Sequence, residues 1–119
     1  MRVEQAAAPF TSRARVEQVL RIPIKHGEGR YVADAATLAR LDARGGVVLR
    51  YCDAGGAVIA AANPNGSVDN VAGVRNEAGN VMGLMPHPEH AVEALTGGCD
   101  GLVILGSLCD AVAAAQGAR

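Results

Sequence analysis

A histidine and a glutamate stand two residues apart in the segment Met85–Glu89, and a proline lies on each side of the histidine. Each proline fixes its own φ and disfavours helical backbone at the preceding residue, which predicts extended conformations at Met85 and His87. In an extended segment residues i and i+2 point to the same side, so Glu89 is expected to lie beside His87. There its carboxylate could fix the imidazole tautomer and stabilise the imidazolium, as the base and its orienter do in a nucleophilic triad.

A His-Pro-Glu triplet is weak evidence on its own, because most triplets of this kind lie in surface turns. The two prolines favour the functional interpretation, and so does the apolar run 81–85, which predicts a strand that delivers His87 at its end. A side chain at a strand end is held by a rigid sheet and yet projects into a cleft.

The nucleophile of such a triad is harder to find. Cys99 lies in Gly97–Gly101 with the small-x-nucleophile-x-small spacing of a nucleophile elbow, which needs a buried strand directly before it. Residues 92–96 carry a glutamate in their middle and predict a helix end, with the glycines as its C-terminal cap. No lysine or arginine lies nearby in sequence to activate the thiol. Cys99 is therefore not the expected nucleophile, and Cys52 and Cys109 are interpreted as small apolar core residues.

Two further segments are rich in glycine or asparagine. His26 and Glu28 alternate with glycines that would let the backbone approach a ligand closely, so they could line a pocket. Their spacing alone favours a solvated loop. Residues 63–67, Asn-Pro-Asn-Gly-Ser, lack the Gly-Lys-Ser/Thr ending of a phosphate-binding loop and predict a structural loop.

The elements that must position these residues are short strands separated by turns. The predicted strands cover 19–24, 47–51, 71–74 and 81–85. The first contains a proline, which places it at a sheet edge or a strand end. Asp34 is the predicted N-cap of a helix over 35–43, and helical spacing predicts a second helix from residue 100 or 101 to 116. Residues 1–18 are expected to be irregular, and the middle of the chain is predicted to be mostly antiparallel β with helices at its sides.

Composition excludes several classes of protein. The 119 residues suffice for one modest core, which must be aliphatic because the chain has one Phe, two Tyr and no Trp. A net charge of −1 with interspersed signs gives no basic face for nucleic acid. The apolar runs are too short to span a membrane, and the first residues lack the apolar core of a signal peptide. Three widely spaced cysteines predict neither a disulfide framework nor a metal site, and we expect reduced thiols in the cytoplasm.

Five segments of distinctive sequence follow one another along the chain: 9–12, 20–29, 50–53, 63–67 and 83–89. Together they resemble the C-terminal half of the glutamine amidotransferase subunits of phosphoribosylformylglycinamidine synthase, an enzyme of purine biosynthesis. The His-Pro-Glu triplet alone would indicate only the broader class I, triad-type glutamine amidotransferases. The His-Gly-Glu-Gly and Asn-Pro-Asn-Gly-Ser segments narrow the resemblance to this subunit, and it covers nearly the whole chain.

The resemblance implies a fold and a reaction. The fold would be α/β, a flavodoxin-like class I glutamine amidotransferase sandwich. Residues 1–119 would form a single partial domain, its C-terminal portion, dominated by antiparallel strands with flanking helices. A cysteine thiolate would attack the side-chain amide of glutamine, with His87 as general base and acid and Glu89 as its orienter. The ammonia released would pass to a formylglycinamide ribonucleotide synthetase subunit, with or without a small bridging subunit. That partner would use ATP and Mg²⁺, and this chain would bind no cofactor itself.

The chain departs from the family pattern in two ways. The family's nucleophile, its oxyanion hole and much of its parallel sheet precede all of these motifs, so the chain is expected to be a fragment that is inactive and marginally stable alone. The other departure is minor: His90 stands where many relatives have arginine. Two alternatives stay open. One is a non-catalytic module that docks on the synthetase or on a separate N-terminal half, and the other is an unrelated α+β binding domain.

Overall fold

A four-stranded antiparallel sheet forms the centre of the structure. The computed structural model describes residues 1–7, 9–25 and 27–118. The strands lie side by side in chain order, and each pairs antiparallel with the next. They are β1 (Arg2–Val3), β2 (Val47–Arg50), β3 (Val71–Arg75) and β4 (Met82–Leu84). The three later strands confirm the sequence prediction to within one residue at each end.

The hairpin between β3 and β4 is built by local signals. The side-chain Oδ1 of Asn76 accepts hydrogen bonds from the backbone N–H groups of Asn80 and Val81, both at 3.0 Å. The backbone of Asn76 also donates to the carbonyl of Val81 at 3.0 Å. This side-chain closure of a turn is the reason that asparagine is favoured there. It fixes the register of β4, the strand that leads towards His87.

Two α-helices flank the sheet, α1 (Ala35–Ala43) and α2 (Gly101–Gly117), and both were predicted. The first begins where expected, because Asp34 Oδ1 accepts from the backbone N of Thr37 at 2.7 Å and satisfies a donor that the helix leaves unpaired. Short 3₁₀ turns cover 60–62, 68–70, 88–90 and 94–96. Within the described residues no helix is both long enough and apolar enough to cross a bilayer.

The core is mostly aliphatic, as the composition requires, and it centres on β2. All four residues of this strand are buried, so the strand is covered on both faces. Ile104 of α2 joins the larger buried cluster, which contains Val3, Leu20, Val48, Leu49, Tyr51 and Ala72. Leu41 of α1 packs with Val47 and Val71 in the smaller one. The two helices are thus anchored to the same sheet, with Val103 of α2 and Leu38 of α1 packed beside these buried side chains.

The N-terminal third corrects two predictions. No strand forms over 19–24; Val19 makes only an isolated bridge to Arg2. Residues 1–18 are not wholly irregular, since β1 pairs with β2 on one side and with the 17–20 segment on the other, where Val3 N donates to Gln18 O at 2.9 Å. The ladder is short because β1 has only two residues, and its last contact joins Leu20 N to Met1 O at 2.7 Å.

Arg50, at the end of β2, joins three elements. Its side chain is almost completely buried, and Nη2 donates to Asp42 Oδ1 of α1 at 2.6 Å. Nη1 donates to the backbone carbonyl of Asp69 at 2.5 Å and to the carboxylate of the same residue. Asp69 has positive φ although it is not glycine, so this contact holds a backbone conformation that few residues adopt unaided.

Replacing Arg50 with methionine is expected to lower the free energy of unfolding by about 2 kcal/mol, within the range measured for hydrogen bonds to charged groups. The loss stays moderate because the Asp42 and Asp69 side chains are half-exposed and recover hydration. Chemical denaturation measures it. Arg50→Lys is the matched control, because it keeps the positive charge but lacks the planar guanidinium that donates to two partners at once. It should be more stable than Arg50→Met but less stable than the parent. A methionine variant within about 0.5 kcal/mol of the parent would contradict this role.

Candidate functional site

His87 and Glu89 are in contact. The distance between His87 Nδ1 and Glu89 Oε1 is 2.6 Å, a short hydrogen bond of the charge-assisted kind. The side chains are 37% and 55% exposed, so the pair lies at the surface and not in the core. With Nδ1 bonded to the carboxylate, Nε2 is the ring nitrogen that can take or give a proton. The predicted contact is therefore present, while its catalytic role stays a prediction.

The carboxylate of Glu89 is kept ionised by its neighbours. The hydrogen bond from the His87 side chain lowers the pKa of Glu89 below its ordinary value, and a backbone N–H adds to the effect. An ionised carboxylate accepts a hydrogen bond from the ring Nδ1–H, so Glu89 fixes the tautomer and the orientation of the His87 imidazole.

The backbone achieves this contact differently from the prediction. His87 is extended, with φ −105° and ψ 92°, but Pro88–His90 forms a 3₁₀ turn. His90 N donates to His87 O at 3.1 Å, and Ala91 N donates to Pro88 O at 3.0 Å. A turn that begins with proline needs no N–H at that position. Glu89 thus reaches His87 by the turn folding back on itself, and not by the i, i+2 alternation of a strand.

Two long-range contacts hold the start of this turn. The backbone N of His87 donates to Pro23 O at 2.9 Å. Two residues before that proline, Arg21 N donates to Asp100 Oδ2 at 2.7 Å. The segment that failed to form a strand therefore lies between His87 and the beginning of α2, and it ties them together.

Gly101, the first residue of α2, is packed against the same turn. Its backbone N donates to Ala91 O at 2.9 Å. A Cβ at this position would lie 1.9 Å from Pro88 O and 2.7 Å from Ala91 O. Only glycine allows the helix to approach the turn so closely. The sequence places Gly101 at a helix start and in the elbow pattern around Cys99. It carries no local signal for the contact with the turn, because Pro88 and Ala91 lie ten or more residues earlier in the chain.

His90 is the other residue that sequence reasoning missed at the site. Its Nε2 lies 3.7 Å from Glu89 Oε1 and 3.1 Å from Lys25 Nζ. The ring centroids of His87 and His90 are 5.7 Å apart. Two imidazoles and one carboxylate therefore meet at one surface, and together they could hold a metal ion, although no metal site was predicted.

The cysteines do not complete a triad among the described residues. Cys99 is exposed and follows the 3₁₀ turn Ala94–Thr96 and Gly97, which has left-handed backbone, φ 109°. This is the helical end with a glycine cap that the sequence predicted, and no strand leads into Cys99. Cys52 is half-buried, but Cys109 is exposed on α2, so its interpretation as a core residue is wrong. In the described part of the chain no hydrogen bond joins a cysteine to His87.

The other two predicted segments lie against each other. His26 is outside the described residues. Glu28 is exposed and lines a cleft of about 390 Å³ between residues 28–31 and the strands β3 and β4. The loop 63–67 is structural, as predicted: the hydroxyl of Ser67 accepts from Tyr31 N at 3.0 Å, and Arg30 Nε donates to Gly66 O at 3.1 Å. The loop holds residues 29–31 in place by these hydrogen bonds, and among the described residues none of its hydrogen bonds reaches His87.

The chain is similar to known proteins along most of its length. Residues 1–98 match the model of the CobB/CobQ-like glutamine amidotransferase domain. The chain is 56% identical over 110 residues to the phosphoribosylformylglycinamidine synthase subunit PurQ of Moorella thermoacetica, covering 92% of this chain and 47% of that protein. It is 57% identical over 112 residues to the PurQ subunit of Salinibacter ruber, covering 94% and 48%.

A solved structure is similar in fold. A chain in the structure of PurLQS from Thermotoga maritima aligns with a TM-score of 0.72 and 43% identity, over 92% of this chain and 44% of that one. The α/β glutamine amidotransferase fold expected from the motifs is therefore confirmed. The chain spans about half the length of the relatives that it matches.

Proposed function

The chain belongs to the CobB/CobQ-like glutamine amidotransferase domain family, and from that premise we propose that it supplies the base and its orienting carboxylate to a glutamine-hydrolysing site. The enzyme would be phosphoribosylformylglycinamidine synthase, and the chain would be part of its ammonia-producing subunit. One observation carries the proposal: His87 Nδ1 lies 2.6 Å from Glu89 Oε1. The matched family supplies glutamine as the substrate, and the relatives' names supply the enzyme.

In this reaction His87 moves protons at one nitrogen. It takes the proton of a cysteine thiol, and the thiolate attacks the side-chain carbonyl carbon of glutamine. Collapse of the tetrahedral intermediate breaks the C–N bond, and His87 returns the proton so that ammonia leaves and a glutamyl thioester remains. His87 then deprotonates water, which attacks the thioester and releases glutamate and the thiol. Glu89 stabilises the imidazolium in both halves of the reaction.

The thiol would come from outside the described residues. Cys99 and Cys109 are exposed, no cysteine is hydrogen-bonded to His87 in the described ranges, and no strand-to-helix elbow leads into Cys99. The proposal therefore places the nucleophile, and the N–H groups that stabilise the oxyanion, in a segment that the relatives have and these 119 residues do not supply.

Partners and cofactors follow from the same proposal. The ammonia would pass to a formylglycinamide ribonucleotide synthetase subunit that uses ATP and Mg²⁺, while this chain binds no cofactor for hydrolysis. The similar structure is a PurLQS assembly, which supports a synthetase partner and a small third subunit. We place the reaction in the cytoplasm.

Two proteins test the proposal. The 119-residue chain alone is expected to release no ammonia from glutamine above a buffer control. A chimera of the Moorella thermoacetica subunit, in which this chain replaces the aligned segment, is expected to hydrolyse glutamine once assembled with its partners. An inactive chimera that folds and assembles would overturn the proposal. Ammonia release by the chain alone that disappears in Cys99→Ala would show that Cys99 is the nucleophile after all.

A further inference from the structure

The cluster of His87, Glu89 and His90 has the composition of a metal site. Each residue offers one ligand atom, and these three atoms lie within 4.8 Å of one another. Two imidazoles and one carboxylate form a ligand set that proteins use for zinc with a water in the fourth position. The three side chains are 37%, 55% and 44% exposed, so an ion in solution can reach all of them.

The spacing suits zinc after a small adjustment. Zinc binds nitrogen and carboxylate oxygen at about 2.0–2.2 Å, which places tetrahedral ligand atoms about 3.3 Å apart. His90 Nε2 and Glu89 Oε1 are already 3.7 Å apart. His87 Nδ1 and Glu89 Oε1 are at 2.6 Å and must separate by about 0.7 Å to reach that tetrahedral spacing. Rotation of exposed side chains supplies such a movement without any change in the backbone.

We infer that His87, Glu89 and His90 form a binding site for Zn²⁺ or a similar borderline divalent ion. Binding uses the Nδ1 of His87 and the carboxylate of Glu89, the same atoms that bond to each other in the structure. The ion and the His87–Glu89 hydrogen bond are therefore mutually exclusive. On the proposed function, an ion at this position would switch off glutamine hydrolysis by separating the base from its orienter.

Lys25 competes with the ion for His90, so a substitution at Lys25 gives a second test of the site. Its Nζ is 3.1 Å from His90 Nε2, where the ammonium group takes the lone pair that a metal needs. Lys25 is exposed, so its flexible stem can move away. An ion must displace this contact, and removal of the ammonium should make binding stronger.

Calorimetric titration of the reduced 119-residue chain with Zn²⁺, repeated by absorption with Co²⁺, tests the inference. One site is expected, and His90→Gln should weaken binding at least about tenfold, since loss of a ligand exceeds the tenfold or greater effect of losing an outer-shell partner. Lys25→Met should strengthen it. Glu93→Gln, an exposed carboxylate outside the cluster, should leave it unchanged.

Three results would overturn the inference. They are equal affinity in the parent and His90→Gln, weaker binding in Lys25→Met, or a strong thiolate-to-Co²⁺ charge-transfer absorption that disappears in a Cys99→Ser, Cys109→Ser variant. All of these readouts report ion binding and need no glutamine hydrolysis. A chimera that folds, assembles and binds the ion could still fail to hydrolyse glutamine. That result would disprove the proposed function and leave the metal site standing.

Discussion

Replacing His87 with alanine in the active chimera is expected to reduce the rate of glutamine hydrolysis by about 10³-fold or more, because both halves of the reaction need a proton carrier at that position. The change should appear in kcat and kcat/KM together, since the imidazole acts on the reacting atoms and does not hold the ground-state substrate. Unfolding should be nearly unaffected, because the side chain lies at the surface. Ammonia release under saturating glutamine measures the effect.

Two further variants separate catalysis from general damage to the turn. Glu89→Gln keeps the size of the side chain and removes the negative charge that stabilises the imidazolium, so it should lower kcat by less than His87→Ala does. Glu93→Gln is the matched control: it makes the same substitution at an exposed carboxylate that lies outside the His87–Glu89 pair. Its rate should stay near that of the parent. A His87→Ala chimera with parental activity would remove His87 from the mechanism.

The elements that the sequence predicted correctly are those whose signals are local. Asp34 caps α1 through a donor three residues away, and Asn76 closes the β3–β4 turn through donors four and five residues away. Such contacts need only a short segment and the preferences of its residues. The His87–Glu89 contact belongs to this group, because its members are two positions apart in the chain. It was predicted correctly even though the backbone that produces it is a turn and not a strand.

The features that were missed are set by partners far away in the chain. Residues 19–24 carry a strand-like pattern, but a strand forms only where a partner strand pairs with it. The available partner, β1, has only two residues. The buried Arg50 depends on Asp42 and Asp69 from two other elements. Lys25 meets His90 across 65 residues. No local preference encodes such pairings, so tertiary contacts decide them.

Adding a single methyl group at Gly101 should test how α2 holds the Pro88–His90 turn. In Gly101→Ala the new Cβ would lie 1.9 Å from the backbone oxygen of Pro88, and no side-chain rotation relieves a clash between two backbone-fixed atoms. Either α2 or the Pro88–His90 turn must move. We expect a loss of about 1–3 kcal/mol in the free energy of unfolding, as for other overpacked sites. We also expect a reduced kcat in the chimera, because the turn carries Glu89.

Gly117→Ala is the matched control, since it makes the same substitution in the same helix where a Cβ would meet no atom within 4 Å. Alanine favours helix over glycine by about 0.8–1 kcal/mol in a helix interior, so this variant should be neutral or slightly more stable. The two variants lie at opposite ends of α2 and differ in crowding. A loss in the free energy of unfolding for Gly101→Ala, without one for Gly117→Ala, would assign that loss to the contact with the turn. If Gly101→Ala were as stable and as active as Gly117→Ala, the close approach of α2 would not position Glu89. The hydrogen bond from His87 to Pro23 and the local turn would then suffice to hold the pair.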